Sequence, residues 1–113
     1  MQQDLLNFLV HTSDVSNPSK SLKIYSIWTK LVIQEFFNQG DLERSENLPI
    51  SYLCDRYSTY IPKSQVGFIN FIVMPLFKCM SFYFSSLKYF EDNIKKNLDY
   101  FKTVESFDIE YEI

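Results

Sequence analysis

The amino-acid sequence predicts an all-α fold, and two periodic segments indicate it. From 20 to 46, apolar residues recur at every third or fourth position, as they do in a long amphipathic helix. The segment 87–104 carries a second stripe of this kind, made of Phe90, Ile94, Leu98 and Phe101. No segment predicts paired strands, and no internal repeat is present. A chain of 113 residues is the size of one small domain.

The first half of the chain predicts two helices with a break between them. Apolar residues at 5, 6, 9 and 10 lie on one helical face, which predicts a helix over 5–11. Asn17 followed by Pro18 is typical of a helix start and marks the break before the long helix. The predicted stripe of that helix is Leu22, Ile24, Tyr25, Ile27, Trp28, Leu31, Val32, Glu35, Phe36 and Gln39.

The second half begins with an ordered loop over 47–61, where the helical period is lost. Pro62 suits the first turn of the next helix, since its missing N–H would have no partner there. Pro75 is expected to kink or interrupt that helix, because it removes a backbone donor. The acidic segment 105–113 is expected to be a frayed tail after a folded unit over 1–104.

Composition excludes several classes of protein. The net charge is −3 without a basic stripe, so binding to nucleic acid through its phosphates is not expected. Cys54 and Cys79 are too few and too far apart for a metal knuckle, and they predict reduced thiols in an intracellular, cytoplasmic protein. The apolar run 66–77 is broken by Asn70 and Pro75, so no membrane span is predicted. Aromatic residues form 18% of the chain, which suggests that some rings pack against a partner outside this sequence.

Gln65 and Phe68 form the candidate site, because residues three positions apart are neighbours on a helix. An amide edge beside a flat ring could hold a flat polar ligand. The alternative is a solvated glutamine in the first turn of a helix next to a core phenylalanine. Taken alone, the two residues favour this second interpretation.

Five separate segments carry a resemblance to a known family: SDVSNP, EFFNQGD after a tryptophan, CDR, KSQVGF and, more weakly, NLDYF. In this order they resemble the C-terminal part of the catalytic domain of class I 3′,5′-cyclic nucleotide phosphodiesterases, over about residues 5–104. The resemblance implies a partial helical bundle beside a site for zinc and magnesium. It also implies hydrolysis of cAMP or cGMP to the 5′-monophosphate in signal transduction.

The resemblance assigns roles to individual residues. Asp14 is a zinc ligand, Gln65 reads the edge of the purine, and Phe68 stacks on the purine. Val32 and Phe36 form the other wall of the slot, and Asn17 influences base selectivity, which favours cAMP over cGMP. Further lining positions are Tyr25, Trp28, Thr29 and Leu53.

The same family needs two histidine motifs that this chain lacks. Its single histidine, His11, is not expected to bind metal, and one aspartate cannot hold a catalytic zinc. The chain alone is therefore expected to be inactive. One alternative is a catalytically dead helical module that binds a nucleotide or a partner protein. Another is an incomplete gene, with the remaining part of the catalytic domain encoded upstream.

Overall fold

The chain folds into five α-helices within residues 1–109, which are the residues that the computed structural model describes. Their bounds are α1 Gln2–Asp14, α2 Leu22–Ser45, α3 Ile61–Phe68, α4 Met74–Tyr83 and α5 Lys88–Thr103. Short 3₁₀ turns, Asn17–Ser19 and Ser85–Leu87, precede α2 and α5. No strand occurs within residues 1–109, which confirms the all-α prediction.

The main core lies where α3 and α4 pack against α5 and the first turns of α2. Its buried members are Tyr25, Ile69, Val73, Met74, Phe77, Ile94, Leu98 and Phe101. A smaller cluster of Ile33, Phe37 and Ile61 continues it along α2. The predicted stripe of α5 is therefore the one that is buried.

The buried face of α2 differs from the predicted one. The residues it turns inward are Tyr25, Thr29, Ile33, Phe37, Gly40 and Glu43. Most of the predicted stripe, including Ile24, Trp28, Leu31 and Phe36, is exposed. The helix is apolar on more than one face, so periodicity alone did not determine which face would pack on α5.

The helix after the loop is continuous from Ile61 to Tyr83, because the five-residue π-helical segment Ile69–Val73 joins α3 to α4. A widened turn directly before Pro75 accommodates the missing backbone donor without ending the helix. The expected irregularity is present, but as a π turn rather than a break.

This 23-residue helix is long and apolar enough, by length and composition alone, to cross a membrane. The helix is longer than the apolar run 66–77, and Asn70 and Pro75 do not end it, whereas the absence of a membrane span stays a prediction. A core helix of a water-soluble domain can pass the same test. Here Ile69 and Val73 are fully buried in the core, while Phe71 and Phe82 are exposed.

Two further predictions concern the start of α2 and the segment after residue 104. Pro18 lies in the 3₁₀ turn, and α2 begins only at Leu22. Within residues 105–109 of the predicted tail, Phe107 packs on the Phe101 ring at 5.3 Å between centroids. Tyr60 Oη donates to the Glu105 carbonyl over 2.9 Å. The remainder of the predicted tail, 110–113, lies outside the described residues.

Candidate functional site

The amide of Gln65 is buried in α3 and contacts the tyrosine of α2. Tyr25 Oη donates to Gln65 Oε1 over 2.5 Å. Burial raises the pKa of the Tyr25 phenol, so this group stays protonated and able to donate at neutral pH. Thr29 Oγ1 donates to the Tyr25 carbonyl over 2.9 Å, one turn further along α2. Three of the predicted site residues therefore meet.

The other end of the Gln65 amide is held less firmly. Its Nε2 has a long contact of 3.4 Å with Ser64 Oγ, which is weak compared with an ordinary hydrogen bond. A ligand acceptor could replace that contact. The amide thus has an oxygen fixed by Tyr25 and a nitrogen able to donate.

Phe68 lines a cavity of about 950 Å³ between the loop and the helix that begins at Ile61. Leu53 from the loop lines the same cavity, as do Tyr60, Lys63 and Phe71. Gln65 is not among the lining residues, since it lies on the buried side of α3 against Tyr25. The structure therefore brings Phe68 and Leu53 together at the cavity. The Gln65–Tyr25 pair lies on the neighbouring face of α3, which packs on α2.

The remaining predicted residues on α2 lie toward the surface. Val32 is half-buried, whereas Trp28 and Phe36 are exposed. The roles of Val32 and Phe36 as slot walls, and of Trp28 as a lining residue, stay predictions.

Asp14 and Asn17 lie in the connection between α1 and α2. Asp14 is the exposed last residue of α1, and Asn17 opens the 3₁₀ turn with its side chain half-buried. Among residues 1–109, no group of three or more His, Cys, Asp or Glu side chains could hold a metal ion. Asp14 alone among the described residues therefore does not form a catalytic zinc site, because such a site uses three protein ligands.

The turn 17–19 is held by two asparagines to which sequence analysis gave no role. Asn97 Nδ2 donates to the carbonyls of Pro18 and Lys20, each over 2.8 Å, and Asn93 Nδ2 donates to the Ser19 carbonyl over 3.0 Å. Asn97 is almost fully buried on the apolar side of α5. A buried amide within an apolar stripe implies a polar partner, and that signal could have found this contact.

Comparison with known proteins agrees with this helical arrangement. The family model for 3′5′-cyclic nucleotide phosphodiesterases matches residues 1–94. The 3′,5′-cyclic-AMP phosphodiesterase, isoform F, of Drosophila melanogaster is 42% identical over 101 residues, which cover 88% of this chain and 15% of that protein. The dual specificity calcium/calmodulin-dependent 3′,5′-cyclic nucleotide phosphodiesterase 1B of Bos taurus is 49% identical over 76 residues, which cover 67% of this chain and 14% of that protein.

A solved structure supports the same relationship. The structure of LmjPDEB1 in complex with IBMX matches with a TM-score of 0.78 at 25% identity, covering 84% of this chain and 29% of that one. These findings define an all-α region from an enzyme class that hydrolyses phosphoric diesters. The chain belongs to the 3′5′-cyclic nucleotide phosphodiesterase family, which confirms the resemblance seen in the sequence. It spans 14–15% of the length of the two curated relatives.

Proposed function

We propose that this chain forms the purine-binding side of a 3′,5′-cyclic nucleotide phosphodiesterase site inside the cell. The observation that carries the proposal is the buried Tyr25–Gln65 pair one helical turn before Phe68, in a chain of this family. Hydrolysis to the 5′-monophosphate then depends on groups outside these 113 residues.

The amide of Gln65 matches the edge of adenine. Its oxygen can accept from the exocyclic N6 amino group while its nitrogen donates to N7. Tyr25 donates to that oxygen and so opposes rotation of the amide by half a turn. Phe68, three residues further along α3, supplies an aromatic ring at the neighbouring cavity, and stacking of a base on such a ring is worth about 1–3 kcal/mol.

We propose cAMP as the preferred nucleotide over cGMP. A fixed amide orientation favours one purine, since adenine and guanine present different donors and acceptors at the same edge. The Drosophila relative is named as a cyclic-AMP enzyme, whereas the bovine relative is named as dual specificity. The ratio of the affinities for cAMP and cGMP is therefore the quantity to measure.

Zinc and magnesium would be held mainly by residues outside this chain, with Asp14 contributing one carboxylate. When bound, these ions would supply an activated water and stabilise charge on the phosphate. The exposed apolar residues of α1 and α2, including Leu5, Val10, Ile24 and Trp28, support contact with a further part of the catalytic domain.

An NMR titration of the 113-residue chain with cAMP and cGMP tests the nucleotide site. We expect weak binding, with a Kd above the range of about 1 μM to 1 mM that is common for enzyme KM values. The chemical shifts of the Gln65 side-chain amide and of the Phe68 ring should change more with cAMP than with cGMP. Gln65→Ala should abolish the shift of the Phe68 ring, while Gln3→Ala, on the exposed face of α1, should not. Absence of any shift in the wild-type chain would overturn the proposal.

A hydrolysis assay tests the division of the site. With zinc and magnesium added, the chain alone should show no turnover of cAMP. Turnover that depended on Asp14 would contradict the conclusion that the other metal ligands lie elsewhere.

A further inference from the structure

The loop 47–60 is fixed to the last turns of α2 by a set of contacts that the proposed nucleotide site does not include. We call this set the loop clamp. Its members are Gly40, Asp41, Glu43 and Arg44 on α2 and Ser51, Cys54, Asp55 and Arg56 in the loop.

Two ion pairs form the charged part of the loop clamp. Arg56 Nε donates to both carboxylate oxygens of Asp41 at 2.9 Å, and its Nη2 donates to Oδ2 at 2.5 Å. The guanidinium also lies 5.4 Å from the Phe37 ring centroid. Arg44 Nη2 donates to Asp55 Oδ1 over 2.8 Å. A bidentate arginine–carboxylate pair fixes orientation as well as distance.

The inner part of the loop clamp is a close backbone approach. A Cβ atom on Gly40 would lie 1.9 Å from the Cys54 carbonyl oxygen, so only glycine allows this contact. Beside it, the Glu43 carboxylate accepts from Ser51 N at 2.8 Å and from Ser51 Oγ at 2.6 Å. The loop therefore touches α2 directly at Cys54 and is held on both sides of that point.

The loop clamp encloses a strained residue that faces the cavity. Leu53 has a φ of 65°, in the left-handed region, and lines the cavity together with Phe68. This conformation is unfavourable for a leucine, so it persists only where the surroundings hold it. On either side of Leu53, Ser51 donates a hydrogen bond to Glu43 of α2 and the Cys54 backbone lies close against Gly40 of α2.

We propose that Asp41 and Arg56 are positioning residues for the cavity wall. Their ion pair holds the loop on Gly40, and this keeps Leu53 at a fixed separation from Phe68. The loop clamp thereby sets the width of the slot on its Leu53 side, and it limits how large a substituent can be on a purine that stacks on Phe68. The choice of a purine as the ligand rests on the proposed function, whereas the attachment of the loop to α2 by the ion pair does not.

Thiol labelling measures the hold on the loop directly. Cys54 is a buried residue of the loop and Cys79 is exposed, so one chain carries both the probe and its reference. Burial, and secondly the charge of Glu43, raise the pKa of the Cys54 thiol, so it reacts slowly while the loop is closed. We expect Asp41→Asn and Arg56→Gln to speed labelling of Cys54 by about tenfold relative to Cys79, since both open the loop.

Matched variants separate the ion pair from a change in net charge. Asp92→Asn on α5 and Lys23→Gln on α2 alter exposed charges by the same amounts and should leave the labelling ratio unchanged. The double variant Asp41→Arg, Arg56→Asp should restore slow labelling. Unchanged labelling in Asp41→Asn and Arg56→Gln would overturn the loop clamp.

A selectivity ratio measures the effect on the slot. The Kd values for cAMP and for an N6-benzyl cAMP are compared in the wild type and in Asp41→Asn. A loosened wall should weaken cAMP binding while improving the ratio in favour of the bulky analogue, which general destabilisation would not do. Faster labelling with an unchanged ratio would overturn the role in the slot. If the wild type binds neither nucleotide, the proposed function and the slot role fall together, and labelling still decides whether the clamp holds the loop.

Discussion

The core beneath α5 and the loop clamp over α2 fix the chain in different ways. In the core, Ile69, Val73 and Ile94 are completely buried, and packing depends on volume and apolar area. In the loop clamp, half-exposed charges pair across 11 to 15 residues of sequence, and the geometry depends on charge and on one missing Cβ. The core therefore responds to the size of a side chain, whereas the loop clamp responds to protonation and to backbone contact.

The largest expected effect is a loss of core volume. Phe101→Ala should lower the free energy of unfolding by about 3–5 kcal/mol, because its ring packs edge-on against Tyr25 at 5.4 Å and is almost fully buried. Chemical denaturation followed by circular dichroism measures it. Should that variant fail to fold, Phe101→Leu should still fold and lose less, about 1.5 kcal/mol or under. Phe82→Ala, on an exposed ring, should stay within about 0.5 kcal/mol, and an equal loss there would contradict the assignment of the core.

The two glycines should respond oppositely to the same substitution. Gly40→Ala forces a Cβ against the Cys54 carbonyl, and we expect a loss of about 1–3 kcal/mol from this overpacking. Gly67→Ala in α3 meets nothing within 4 Å, so it should gain about 0.5–1 kcal/mol through helix propensity. Thermal unfolding of both variants gives the comparison. A stabilised Gly40→Ala would mean that the loop does not rest on α2.

The smallest effect is a pH dependence of the loop clamp. Hydrogen bonds from Ser51 lower the pKa of Glu43, and the Tyr57 N–H lowers that of Asp55. Because the folded pKa values lie below the ordinary 4.5 and 3.8, the stabilisation is complete above those ordinary values and is lost as the pH falls through the folded ones. The backbone amide shifts of Ser51 and Tyr57 should titrate with midpoints below 4.5 and 3.8. Midpoints at or above these values would contradict the hydrogen bonds.

The helices could be predicted well because each rests on a local pattern. The apolar stripe of α5 and the loss of period after residue 46 both correspond to what the structure contains. Pro75 was correctly expected to disturb its helix, although the disturbance is a π turn. The candidate site was predicted less completely. Gln65 and Tyr25 were both named, but their mutual hydrogen bond spans 40 residues of sequence, and no local pattern encodes it.

The sequence by itself determined the fold class, the family and the position of the helices, since helical periodicity, proline placement and short motifs act over a few residues. Only the tertiary structure decided which face of α2 is buried, how the loop rests on Gly40, and that Asn97 holds the turn before α2. These features depend on contacts between segments distant in the chain. A helix that is apolar on two faces buries the face that distant segments of the chain cover.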